Sequence, residues 1–379
     1  MRTQVLRGVL AGLLLLSAHC QAQQSGGADE IVATIGYAGP LKEHLAGKSA
    51  SAAQLAVEEA NREGLRVGGR KVVFSLLLQD DKANPRTAEF VAKYLGQSEV
   101  IAVVGHWTSA NSISAAPIYD RAGVAQVTPF AWSKLFTAPG YRGAFQMVGN
   151  DENGLAATTN YLVKTMKMTS FYVIDDGGLL GSSLGDTFIA RVTALGAQVL
   201  GRQRVSPNTS DFNAALMAAR SLNPDVIFFS GRPVQSDVVA RSMVRLRLSS
   251  KLFLTGSITS DDFLTKAGDV QDMLLAIKTR MPAANSQPLQ QLQARYQARF
   301  GEPMEPLSIY AYDSVKVIIE AVRKSGSLER GKIIDALHAT HYNGVSGPIA
   351  FGADGTLLKP TYSLYQSRQQ KWVLLHDFK

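Results

Sequence analysis

Thr108, Ser109 and Ala110 stand two residues after an apolar run, 100–105, and at the opening of a stretch of helical period, a placement suited to holding an anion. A buried strand that ends at Gly105 and a helix that opens a few residues later leave the helix's first N–H groups without partners inside it. Short hydroxyl and amide donors converging there can grip a carboxylate without a full counter-charge. Trp107 precedes this turn, and Phe130-Ala131-Trp132 follows a second apolar run, 124–128, so aromatic rings and further backbone donors gather beside Ser109. The plainer readings are a helix N-cap for Ser109 and core or interface packing for Trp107, Phe130 and Trp132.

Other residues invite other chemistry. Tyr37 lies where the first apolar run, 31–36, gives way to a helix, a position open to a cleft. Arg232 follows the run 226–230 and Gly231, and its planar fork of donors would serve a second anionic group, with a surface ion pair as the plainer use. Asp175 and Asp176 end the run 170–175, either against a ligand or capping the next helix. His106 beside Ser109 has no visible partner, and base catalysis needs a nucleophile and an orienting group around it. Gly47-Lys48-Ser49 matches only the end of a phosphate-binding loop, since Lys42 stands where the earlier glycine is required. Gly181-Ser182-Ser183-Leu184-Gly185 fits the nucleophile-elbow pattern, which makes a serine hydrolase using Ser183 the remote alternative, although several residues separate it from the strand. The six histidines and one cysteine show no metal-ligand spacing, so neither metal nor cofactor is expected.

Positioning such a turn takes parallel strands covered on both faces. Apolar runs at 31–36, 72–78, 100–105 and 124–128 alternate with helical stripes such as Ala53, Ala56, Val57, Ala60 and Ala88, Val91, Ala92, Leu95. The pattern restarts after Gly149, with runs at 170–175, 197–205, 226–230, 252–255 and 273–279. Two long helical patterns and a shorter one follow Pro282, and the end turns to short strands between glycines. The expected fold class is α/β, with two doubly wound, Rossmann-like lobes joined by chain crossings that act as hinges.

A chain of 379 residues, 46% apolar and 18% charged, is too long for one core and long enough for two. Residues 1–22 read as a signal peptide, with Arg2 and Arg7 before an apolar stretch and Cys20-Gln21-Ala22 at the cleavage point, which implies export to the periplasm. A lipid anchor at Cys20 is the alternative, although His19 occupies a position where lipoprotein signals carry a small residue. The formal charge of +8 is dispersed rather than gathered in a run, so no nucleic-acid partner is expected. Nothing after the leader approaches the ~18 consecutive apolar residues of a membrane span.

With these segments laid out, the chain resembles the substrate-binding proteins of ABC transporters, of the leucine/isoleucine/valine-binding type with the type I periplasmic fold. The resemblance rests on Gly39-Pro40, the stretch 53–61, Gln79-Asp80-Asp81 with Asn84-Pro85, the stretch 104–109, Pro117-Ile118-Tyr119, Val127-Thr128-Pro129, Asn223-Pro224-Asp225 and the ending 347–355, in that order along nearly the whole mature chain. It implies one lobe of 29–148 plus 282–352 and another of 149–281 plus 353–379. It also implies an amino-acid-like ligand whose carboxylate meets Thr108, Ser109 and Ala110, with groups of Phe130, Ala131 and Trp132 completing the contact. Where relatives set tyrosines and a carboxylate in the opposing lobe, this chain has Leu180, Arg232 and Ser257. A buried ammonium would then lack its charged partner, which favours a small carboxylate or amide with a flat or apolar body. The expected partners are that ligand and separate permease and ATPase chains, with membrane contact only through them or through Cys20. A ligand sensor for a membrane receptor is the alternative output. Repressors of related fold need a DNA-binding headpiece, for which residues 23–30 are too few.

Overall fold

The computed structural model describes residues 29–255, 261–270 and 272–378; the expected signal peptide with Cys20, and Ser257, lie outside these residues. The first half runs β1 (Glu30–Gly39), α1 (His44–Glu63), β2 (Arg66–Val67), β3 (Arg70–Asp80), α2 (Pro85–Gln97), β4 (Val100–Gly105), α3 (Ser109–Arg121), β5 (Ala125–Thr128) and β6 (Ala144–Gln146). It continues with α4 (Asp151–Asn160), β7 (Ser170–Asp175), α5 (Leu179–Ala194), β8 (Gln198–Arg204), α6 (Asn213–Leu222), β9 (Val226–Ser230), α7 (Pro233–Arg245), β10 (Lys251–Thr255), α8 (Asp261–Ala267) and β11 (Leu274–Thr279). Last come α9 (Gln287–Phe300), α10 (Ser308–Ser325), α11 (Arg330–His338), the hairpin β12 (His341–Gly344) and β13 (Gly347–Ala350), then β14 (Tyr362–Arg368) and β15 (Lys371–Phe378).

Local chemistry accounts for the boundaries. Asn84 accepts hydrogen bonds from the N–H groups of Arg86 and Thr87 while Pro85 opens α2, and Asn223 in a left-handed conformation closes α6 before Pro224. All six residues of β4 are buried, as a strand covered on both faces must be.

The strands form two sheets, ordered β2-β3-β1-β4-β5-β6 and β15-β14-β11-β10-β9-β7-β8. In the first, β1 runs parallel to β3 and β4, and β5 and β6 extend the parallel set. In the second, β7 through β11 are parallel and β14 and β15 add antiparallel strands at one edge. Strand order reverses between β1 and β4 in one sheet and between β7 and β9 in the other, so each sheet has a crevice at the carboxyl ends of those pairs.

One core draws its residues from 33–148 and again from 289–351, because α9, α10 and α11 fold back onto the first sheet. Two further cores serve the second sheet, within 155–277 and up to Leu364. The chain passes between the sheets near Val148–Asn150, Arg280 and Thr361. There Thr279 donates through its hydroxyl to the Val148 carbonyl at 3.4 Å, Tyr362 donates to the Asn150 carbonyl at 2.8 Å, and the Arg280 N–H meets the Thr361 carbonyl at 2.9 Å. Since β6 ends just before one crossing and β11 just before another, the carboxyl edges of both parallel sheets face the crossings and each other. Residues 353–357, assigned from sequence to the second lobe, pack on the first instead: Gly355 accepts from the Gln146 N–H at 3.0 Å, Thr356 pairs with Thr137, and Leu357 lies against the first core.

Candidate functional site

β4 delivers the chain to the crevice at Gly105, whose φ of +145° and approach to Ala38 exclude a side chain: a Cβ there would sit 2.4 Å from the Ala38 carbonyl oxygen. His106 follows, fully buried, with Nδ1 2.7 Å from Asp81 Oδ2 and Nε2 3.3 Å from the Tyr119 hydroxyl. This partner comes from 25 residues earlier in the chain, beyond the reach of a local sequence reading. Burial works to raise the Asp81 carboxyl, but the hydrogen bond and charge of His106, helped by the Ala83 N–H, outweigh it and hold the group below its ordinary range. The His106 carbonyl in turn accepts from the hydroxyls of Ser112 at 3.0 Å and Thr128 at 2.8 Å. The histidine is thus the buried post that holds the turn, with its imidazole facing inward rather than toward a substrate.

Thr108, not Ser109, caps α3, its hydroxyl accepting from the Asn111 N–H at 3.3 Å. Ser109 Oγ accepts from the N–H groups of Trp132 at 3.2 Å and Ser133 at 3.3 Å. A hydroxyl has two acceptor sites and one proton, so these bonds fill the acceptors and leave the proton to donate outward. The N–H groups of Ser109 and Ala110, at the start of the helix, take part in no backbone hydrogen bond among the described residues. Ser109 O–H and two first-turn N–H groups therefore form the donor set. The neighbouring loop differs from expectation, because the Ala131 N–H is committed to Thr128 Oγ1 at 3.0 Å and the Trp132 N–H to Ser109. Gln146 fixes the same loop by donating to the carbonyls of Ala131 and Ser133.

The aromatic residues divide. Trp107 and Phe130 stack at 5.3 Å with an interplanar angle of 23°, and Tyr310 tilts against Phe130 at 6.3 Å, so a half-buried aromatic wall stands beside Ser109. Trp132 belongs elsewhere: it packs against the cores of both sheets, edge-on to Tyr362 at 6.4 Å, and lines the crossing rather than the crevice. Tyr37 is also not a crevice residue. It extends β1 instead of opening a loop, is 1% exposed, and donates its hydroxyl to the Ala46 carbonyl at 3.4 Å.

Across the molecule, β7 and β9 bring their own residues to the second crevice. Asp175 is tied to Arg202 Nε at 2.6 Å, to Ser182 and to the Gly177 N–H, while Asp176 accepts from the Gly178 N–H at 3.0 Å, so both acids serve the turn into α5. Arg232 sits between β9 and α7 with its side chain exposed and its N–H bonded to Gln235 Oε1 at 3.1 Å. Leu180 is half-buried in the first turn of α5. Ser183 lies inside α5, four residues past its start, and not on the strand-to-helix turn that a nucleophile elbow demands. Gly47-Lys48-Ser49 likewise lies inside α1 and not on a loop between strand and helix. Among the described residues no three His, Cys, Asp or Glu side chains are placed to hold a metal ion, and no helix is long and apolar enough to cross a membrane.

Two mostly parallel sheets meeting across three chain crossings, with donors at one crevice, define a two-lobed α/β architecture with a cleft between the lobes. Residues 32–371 match the family model of periplasmic binding proteins, and the chain belongs to that family. Among curated relatives, an amino acid binding protein of Pseudomonas aeruginosa is 27% identical over 376 residues, covering 96% of each chain. The fold matches a leucine-binding protein, LivK, of Thermotoga maritima with a TM-score of 0.78 at 23% identity, over 92% of this chain and 99% of that one. A solute-binding protein of an ABC transporter from Rhodopseudomonas palustris, solved in complex with benzoate, matches with a TM-score of 0.74 at 18% identity, over 92% and 96%.

Proposed function

We propose that this protein captures a small carboxylate with a flat or apolar body between its lobes and closes over it. The observation that carries the reading is the donor set at the start of α3: a serine hydroxyl whose acceptor sites are filled, two unshared N–H groups, and the Trp107–Phe130 stack alongside. An oxyanion suits those donors, and a ring suits that wall. Asp175 and Asp176 are both held within their own lobe, so neither stands ready for an ammonium group. The benzoate complex of a protein with this fold supports the aromatic acid; the amino acid binding relative supports a zwitterion.

The lobes in this reading are 29–148 with 282–358, and 149–281 with 359–378. In this reading separate permease and ATPase chains meet the closed form and the protein works in the periplasm; membership of the periplasmic binding protein family supports both. A thermal-shift and calorimetric panel of benzoate, hydroxylated benzoates, short acids, their amides, leucine and valine tests the proposal. Benzoate-type acids should raise the melting temperature and give saturable heats. Tight leucine or valine binding with no response to any organic acid would overturn it.

A further inference from the structure

Leu179 and Val234 are 70% and 69% exposed, although each is a large apolar residue beside a well-packed sheet. Their positions are equivalent. Asp175 at the end of β7 is paired with Ser230 at the end of β9, and each exposed residue comes four positions later, Leu179 opening α5 and Val234 in the first turn of α7. β7 and β9 flank the point where strand order reverses, and the carboxyl edge they share faces the crossings and the first lobe.

We propose that Leu179 and Val234 form an apolar jaw that closes on the flat body of the ligand opposite Trp107 and Phe130, and that they set the preference for aromatic over short acids. This rests on the cleft-binding function proposed above. What singles these two out is their equivalent placement at the carboxyl ends of the two strands that flank the crevice, where ligand sites take their apolar lining, and the opposite wall supplies the complementary chemistry. The ligand's charge is met by the Ser109 hydroxyl and the α3 N–H groups in one lobe, while its ring is met by the second lobe on closure. The added burial occurs only in the closed state, so it favours that state.

The test is the affinity of the mature chain for benzoate, by calorimetry, in Leu179→Ser, Val234→Ser, the double variant, Ser109→Ala and Phe90→Ser. Phe90 is an equally exposed apolar residue, on α2, away from the crevice, and controls for surface effects. Each jaw variant should weaken benzoate about tenfold, and the double variant more, as removal of a buried apolar side chain does. Melting temperatures without ligand should stay near that of the parent, and Phe90→Ser should bind normally. If the double variant keeps benzoate affinity within twofold while Ser109→Ala loses it, the jaw is overturned and the cleft function stands without it. If Ser109→Ala also binds normally, or the parent binds no benzoate, the underlying function fails together with the jaw.

Discussion

The Ser109 side chain carries two loads. Its oxygen secures the 132–133 backbone and, in the proposed function, its proton is the one offered to the ligand, so Ser109→Ala should weaken ligand binding by at least tenfold and lower stability by about 1 to 2 kcal/mol, since two N–H groups lose their acceptor. Calorimetry and urea unfolding read the two effects separately. Asp81 makes a pH prediction. Its carboxyl is held below the unfolded value, so it contributes stability that is fully present above that value, about pH 4, and is lost as pH falls through the lower folded value. Asp81→Asn should therefore be less stable at neutral pH, by about 3 kcal/mol for one partner of a buried pair, and should lose less on acidification than the parent. Unfolding midpoints measured between pH 3 and 7 decide this; parallel curves for the two proteins would contradict it.

At the scale of elements, Gly105 and Arg330 mark the difference between positioning the site and holding the lobe. Gly105→Ala forces a methyl against the Ala38 carbonyl in a strained backbone conformation, so both affinity and melting temperature should fall. Arg330, at the start of α11, donates to the carbonyls of Gly96, Ser98, Val100 and Ala122 at the far end of β4. Arg330→Met should lower the melting temperature and leave ligand affinity of the folded protein unchanged, because it acts at the opposite edge of the sheet. These distinctions trace back to what was readable in the sequence. The strands at 100–105, 170–175 and 226–230 have the expected limits because continuous β-branched and aromatic runs end in glycine or acid turns. β6 has three residues and α4 reads Asp-Glu-Asn-Gly-Leu-Ala-Ala-Thr-Thr-Asn, without an apolar stripe, so neither announces itself. The sequence does not place Trp132 or Tyr37 for a related reason, since residue type and position along a strand do not say which way a ring turns. The pairing of His106 with Asp81 depends on register between strands and was not legible at all.

For the whole molecule, the loop that Ser109 holds is fastened to the first residue beyond a crossing. Asp151 donates its N–H to the Trp132 carbonyl at 2.7 Å and accepts from the Lys134 N–H at 2.9 Å, so the loop beside the proposed binding turn and the entrance to the second lobe share one hydrogen-bonded segment. Asp151→Ala should weaken ligand binding severalfold without touching the ligand, and small-angle scattering of the parent should show a smaller radius of gyration with saturating benzoate than without it. Ligand at about 100 times its dissociation constant should add about 2.7 kcal/mol to the parent's stability. The matched, uncovered positions of Leu179 and Val234 carry one more consequence. Folding leans on them hardly at all, so replacements there are nearly free of structural penalty, and under the proposed jaw a shift in ligand choice would take no more than two surface substitutions.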